Sequence, residues 1–132
     1  MLLFHTLMAL FVANVAFDDP LQEDVKSAFE ELNTYGGKIV WSDELEKEAL
    51  EYLKSPDSVK ADLVIKGKKT FPKDDRTSLG MKVYKAFREN FEKKDVNLRE
   101  LRRGAQYGCN IVFKDTSRKQ DVVNGVCLFK KQ

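Results

Sequence analysis

Two apolar runs near the C-terminus, each carrying one cysteine, constrain this chain more than any other feature. Tyr107 to Phe113 and Val122 to Phe129 are rich in Val and Phe, and Thr116 to Gln120 between them is polar and turn-like. Runs of β-branched and aromatic residues bounded by a polar turn read as a β-hairpin. With Cys109 facing Cys127, Ile111 faces Gly125 and Phe113 faces Val123. All these pairs share one face, because side chains alternate along a strand with a period of two. Facing residues are closest at non-hydrogen-bonded positions, so a cross-strand disulfide fits there. These are the two cysteines of the chain. Closing a loop of about 19 residues stabilises the fold by about 3 kcal/mol in the chain-entropy model.

The other end has a different character. Met1 to Ala16 holds no Asp, Glu, Lys or Arg and gives way at once to Phe17-Asp18-Asp19-Pro20. This is the pattern of a secretory signal peptide, expected over residues 1–16, with one mature domain over 17–132. The apolar run falls short of the ~20 residues of a membrane span, and no later segment is apolar enough to be one. A secreted, extracellular protein with a single disulfide is expected. No Asn-x-Ser/Thr sequon occurs, so N-glycosylation is not.

Histidine supply then limits the chemistry. His5 is the one histidine, and it is lost with the signal segment. Histidine general bases, triads and metal ligands are unavailable to the mature chain. With the cysteines paired, only carboxylates remain, and Asp18-Asp19 and Asp74-Asp75 lack calcium-loop spacing. Gly36-Gly37 and Gly104 to Gly108 do not form a phosphate-binding or dinucleotide fingerprint. The reading is a non-enzyme with no catalytic, cofactor-binding or metal residue. Gln120 to Gly125 resembles the Gln-x-Val-x-Gly loop of cystatins, but it is one residue too long and stands at the C-terminus.

Helical periodicity appears three times. Leu21, Val25, Phe29 and Leu32 mark a helix from Pro20 to Tyr35, capped by Asp19 and stopped by Gly36-Gly37. Lys38 to Trp41 is a short extended entry. Leu45, Ala49, Tyr52 and Leu53 mark a second helix over Asp43 to Lys54, with Ser42 as its N-cap. Leu79, Val83, Tyr84, Phe87 and Phe91 mark a third over Thr77 to Lys93, and Asn97 to Arg103 suits a short turn of helix. Val59 to Ile65 alternates as a strand does, and Gly67 to Asp75 reads as a polar basic loop. The expected fold class is α+β: helices packed on a small antiparallel sheet that ends in the C-terminal hairpin.

Charge divides the mature chain. Phe17 to Lys66 carries 6 basic and 13 acidic residues, and Gly67 to Gln132 carries 17 basic and 8 acidic. The halves attract each other across a fold, or the basic half faces an acidic partner such as an anionic lipid or glycan. Arg99, Arg102, Arg103, Lys114, Arg118 and Lys119 are the candidate basic surface. Nucleic acid is a poor partner for a secreted chain of net charge +2.

Two separated stretches carry a family resemblance. One has Asn33, then Ile39-Val40-Trp41-Ser42-Asp43-Glu44-Leu45 and Ala49; the other has Tyr107-Gly108-Cys109-Asn110, then Val126-Cys127-Leu128-Phe129. They resemble the CAP superfamily of secreted cysteine-rich (SCP), venom-allergen and pathogenesis-related proteins. The resemblance implies an α-β-α domain that binds an extracellular protein, lipid or glycan, with lipid or sterol carriage as one variant. It departs where the family's zinc cleft needs histidines: Leu32 precedes Asn33, and Asp95 to Leu98 occupies the place of the Gly-His-Tyr-Thr-Gln helix. The resemblance therefore implies a reduced CAP-like binding protein without the cleft chemistry.

Intact-mass spectrometry of the secreted protein is expected to give a chain starting near Phe17, with both cysteines alkylated only after reduction. A full-length mass with two free thiols would refute both the cleavage and the bridge.

Overall fold

The computed structural model describes residues 21–33, 39–115 and 119–132. The expected signal segment, the Asp19 cap, the Gly36-Gly37 stop and Arg118 lie outside these residues. In chain order the elements are α1 (Glu23–Leu32), β1 (Val40–Trp41), α2 (Asp43–Lys54), a 3-10 turn (Pro56–Ser58), β2 (Leu63–Pro72), α3 (Leu79–Lys93), α4 (Asp95–Glu100), β3 (Gln106–Asp115) and β4 (Gln120–Lys130).

The C-terminal hairpin forms in the register that the side-chain pattern predicts. Cys109 pairs with Cys127, Ile111 with Gly125 and Phe113 with Val123. The two cysteines form a disulfide with Cα atoms 4.1 Å apart, the short separation of a non-hydrogen-bonded pair. β2 adds antiparallel to the other side of β4, from Leu63↔Phe129 to Pro72↔Gln120. The two-residue β1 adds parallel to β3, Val40 facing Gln106 and Trp41 facing Tyr107. The sheet order is β1-β3-β4-β2. The architecture is α+β as expected, with a sheet made mixed by the parallel β1.

β2 departs from the sequence reading. The strand starts at Leu63 and runs on to Pro72, through most of the stretch read as a basic loop. The cause lies on its neighbour. β4 is 11 residues long, and its backbone groups need partners on both sides when buried. β2 supplies them as an edge strand with one face largely in solvent, where lysines and a terminal proline are tolerated.

The odd-numbered face of the sheet receives α1 and α3. The core here joins Val25, Phe29 and Leu32 of α1 and Val83, Phe87 and Phe91 of α3 to Ile65, Tyr107, Cys109, Val123, Cys127 and Phe129 of the strands. At its centre the Phe87 ring, fully buried, lies across two glycines that face each other on neighbouring strands, Gly67 and Gly125. A Cβ at Gly67 would stand 2.6 Å from Phe87 Cγ, and one at Gly125 would stand 2.8 Å from Phe87 Cζ. Phe29 meets Phe87 edge-on at 5.0 Å, and Phe91 continues the cluster to Phe129. Lys82, also buried on α3, donates to the Asp75 carbonyl at 3.1 Å between the Phe71 and Phe113 rings.

The even-numbered face receives α2. Ser42 Oγ accepts from Leu45 N and caps the helix as expected. Leu45 and Ala49 pack on Val126 and Leu128, flanked by Tyr52, Leu53 and Val64. Close approach is possible because β3 carries Gly108: a Cβ there would overlap the backbone of Leu45 and Glu46. The result is three layers, with α2 on one side of the sheet and α1 and α3 on the other. Gly104 (φ 92°) makes the left-handed turn that leads from α4 into β3.

Phe87→Ala is expected to lower unfolding stability by about 3–5 kcal/mol. Gly67→Ala and Gly125→Ala are expected to cost about 1–3 kcal/mol each by overpacking. Urea denaturation measures all three. Gly67→Ala placed on Phe87→Ala should cost much less than on the native background, since the ring it collides with is gone.

Candidate binding surface

A polar cluster surrounds Trp41. Glu46, buried on the sheet side of α2, accepts from Leu21 N at 3.1 Å through Oε2 and from Trp41 Nε1 at 3.2 Å through Oε1. Its main-chain carbonyl accepts from Asn110 Nδ2 at 3.1 Å. Lys26 lies 5.1 Å over the Trp41 ring, and Tyr107 meets that ring edge-on at 5.2 Å. Burial, with the nearby Glu30 carboxylate adding to it, pushes the Tyr107 phenol up to about 12. Both Glu46 oxygens are engaged by groups of the protein itself, so the cluster ties the residues before α1 to β1, α2 and β3. Among the described residues no group of three or more His, Cys, Asp or Glu is placed to hold a metal ion.

The described members of the candidate basic set, Arg99, Arg102, Arg103, Lys114 and Lys119, do not form one surface. Arg99 is bound to Asp95 at 2.7 Å along α4. Arg102 and Arg103 follow α4 and line a concavity with Lys131 and Gln132 at the end where β3 begins. Lys114 is exposed near the other end of β3, eight residues from Gln106 and so roughly 27 Å away at strand rise. Lys119 is exposed at that far end, in the bend before β4.

Lys114 instead joins Lys66, and Lys68 from the stretch read as a basic loop. α2 covers the even face around Gly108, Val126 and Leu128, holds Asn110 through the Glu46 carbonyl and reaches Lys66, which lies 5.4 Å over the Tyr52 ring. Beyond that border at Lys66, cross-strand register sets out two further rows: Lys68, Asn124 and Val112; Thr70, Val122 and Lys114. Lys66, Lys68, Thr70 and Lys114 are exposed, and Val112, Val122 and Asn124 are half-buried. These seven positions include three amines and no carboxylate. The signal that could have found this surface is the alternation of Lys66 and Lys68 with Ile65, Gly67 and Lys69, which places both lysines on one strand face.

Of the ion pairs described, Lys130–Glu48 at 3.5 Å joins the acidic and basic halves, while Arg88–Glu92, Lys93–Glu89 and Arg99–Asp95 are local to one helix. Lys68 and Lys114 of the open face take part in none of these pairs, and Lys66 lies over the Tyr52 ring.

Compared with known families, residues 28–131 match ES15, the 15 kDa excretory/secretory protein family. The chain belongs to the ES15 family. A 30 kDa antigenic glycoprotein of Trichostrongylus colubriformis is 30% identical over 114 residues, covering 86% of this chain and 84% of that protein. No solved structure matches the chain. The protein is secreted and extracellular, and the names of its relatives are those of excretory/secretory and antigenic proteins rather than of enzymes.

The match overturns the CAP resemblance, since the ES15 region takes in both stretches that carried it. Each stretch has a packing explanation of its own. Trp41, Ser42 and Leu45 are the strand end, N-cap and first buried turn that dock α2, and Gly108-Cys109 is the close contact with α2 beside the disulfide. Any fold that lays a capped helix on a disulfide-closed hairpin asks for similar residues. The Gln120 to Gly125 stretch is likewise β4 strand in the ladder rather than an inhibitory loop.

Because the folded Tyr107 holds its proton to about 12, against an ordinary 10.0, its contribution to stability is complete below pH 10. It is expected to fall away as pH rises from 10 through 12. In Tyr107→Phe the alkaline loss of stability over that window should shrink, as measured by urea midpoints across pH.

Proposed function

We propose that this ES15 chain is a non-enzymatic extracellular binding protein, released after removal of residues 1–16, whose open even-numbered sheet face takes an anionic partner. The observation that carries the reading is that face itself: Lys66, Lys68 and Lys114 surround half-buried Val112 and Val122, with no carboxylate among the seven positions. Such a surface attracts negative charge at long range and offers apolar contact at short range. The disulfide and the Phe87 seat hold the sheet rigid beneath it, so little ordering cost is left for binding. Arg102, Arg103 and Lys131 form a second basic surface at the opposite end, which the test separates from the first.

Heparin serves as the polyanion probe. Retention is expected at low salt, weakening steeply toward physiological ionic strength, where the Debye length is about 8 Å. The Lys66→Glu, Lys68→Glu, Lys114→Glu variant should lose retention at physiological salt, and Arg102→Glu, Arg103→Glu should change it little. Equal retention of the wild type and the triple variant would refute the open-face assignment.

A further inference from the structure

The free edge of β2 has a backbone that is ready to pair. Lys73 N donates to Lys119 O at 2.9 Å, one register step beyond Pro72↔Gln120. Hydrogen-bonding direction alternates along a strand, so the odd-numbered residues of β2 turn their N–H and C=O groups toward β4. Those of Val64, Lys66, Lys68 and Thr70 therefore point away from the sheet. Among the described residues one of these groups has a partner: the Lys66 carbonyl accepts from Asn90 Nδ2. At Pro72, the next even position, there is no N–H to offer, and the pairing stretch ends.

Two recesses lie along this same edge. One is floored by Val64 and Ile65 and bounded by Tyr52, Lys66, Asn90, Lys93 and Lys94. The other lies between Lys69 and Lys85, Arg88, Glu89 and Glu92 of α3. Lys66 and Lys68 flank the edge on the even face and Lys69 on the odd face. Edge lysines usually deter strand addition. They do so by repelling another basic edge, such as that of a second copy of this chain, and the same charges favour a strand of opposite sign.

We infer that the β2 edge accepts an extended acidic segment of a partner protein as a fifth strand of the sheet. Its alternate carboxylates would stand beside Lys66 and Lys68, and its intervening small apolar side chains would fill the recess over Val64 and Ile65. Backbone bonds to residues 64, 66, 68 and 70 would supply affinity and the lysines selectivity, which is the division of labour in strand-addition binding. The inference rests on the anionic-partner reading above and names the form that the partner takes.

The test uses a fluorescent peptide of alternating Glu and Val and the same peptide N-methylated at alternate residues, which keeps the charge but blocks one hydrogen-bonding edge. Anisotropy should show binding of the first and at least about tenfold weaker binding of the second, a difference near 1.4 kcal/mol. The amides of Val64, Lys66, Lys68 and Thr70 should gain hydrogen-exchange protection in the complex. Thr70→Pro removes an outward N–H, no ladder bond and no amine, so it should weaken peptide binding at least about tenfold and leave heparin retention unchanged. Should that variant fail to fold, the N-methylated peptide decides alone. Equal binding of both peptides, or heparin binding with no peptide binding, overturns the fifth strand and leaves the anionic face standing. Loss of both peptide and heparin binding in the wild type overturns both.

Discussion

A single buried ring sets the geometry of this domain. Phe87 rests on Gly67 of β2 and Gly125 of β4, with less than 3 Å of room for a side chain at either position. That contact brings α3 close to the sheet, and Phe29 carries α1 in behind it, edge-on to the same ring. The disulfide lies in the next row of the same face, Cys109–Cys127 beside Ile65. A covalent bond thus locks the register of β3 on β4 where the glycine pair sets the height of the helix layer. Protein interiors are packed densely enough that small volume changes are felt, so the glycines are as much a part of the core as the phenylalanine.

The opposite face follows the same logic with different residues. Gly108 lets α2 lie directly on β3, and the buried Glu46 anchors that helix to Leu21 and to Trp41. α2 then covers only part of its face. What it leaves uncovered, with the free edge of β2, is where the amines of Lys66, Lys68 and Lys114 stand together. The binding surface proposed for the protein is a consequence of a sheet larger than the helix laid on that side.

Local patterns carried a large part of the fold. Ser42, Leu45 and Ala49 marked α2 with its correct bounds, because capping and a 3.6-residue stripe act within one element. Cys109, Ile111 and Phe113 against Cys127, Gly125 and Val123 announced the hairpin register, because a two-residue period leaves few alternatives. Lys68 to Pro72 misled for the opposite reason. Its lysines read as a loop, and only the unmet hydrogen bonds of β4 make a strand of it. The CAP resemblance misled in a related way: Trp41 to Leu45 and Gly108-Cys109 reflect how a helix sits on a closed hairpin, a requirement that families share without common ancestry.

The sequence by itself determined the helical stripes and the disulfide-closed hairpin. Each of these depends on residue identity and spacing along the chain. Tertiary structure alone decided the parallel seat of β1 beside β3, the extension of β2, the glycine pair beneath Phe87 and the separation of Arg102 and Arg103 from Lys114. It also decided that Lys114 would stand with Lys66 and Lys68, nearly fifty residues earlier in the chain. Those outcomes depend on which strand lies beside which. That choice is made by burial and hydrogen-bond satisfaction over the whole molecule, and no local spacing encodes it.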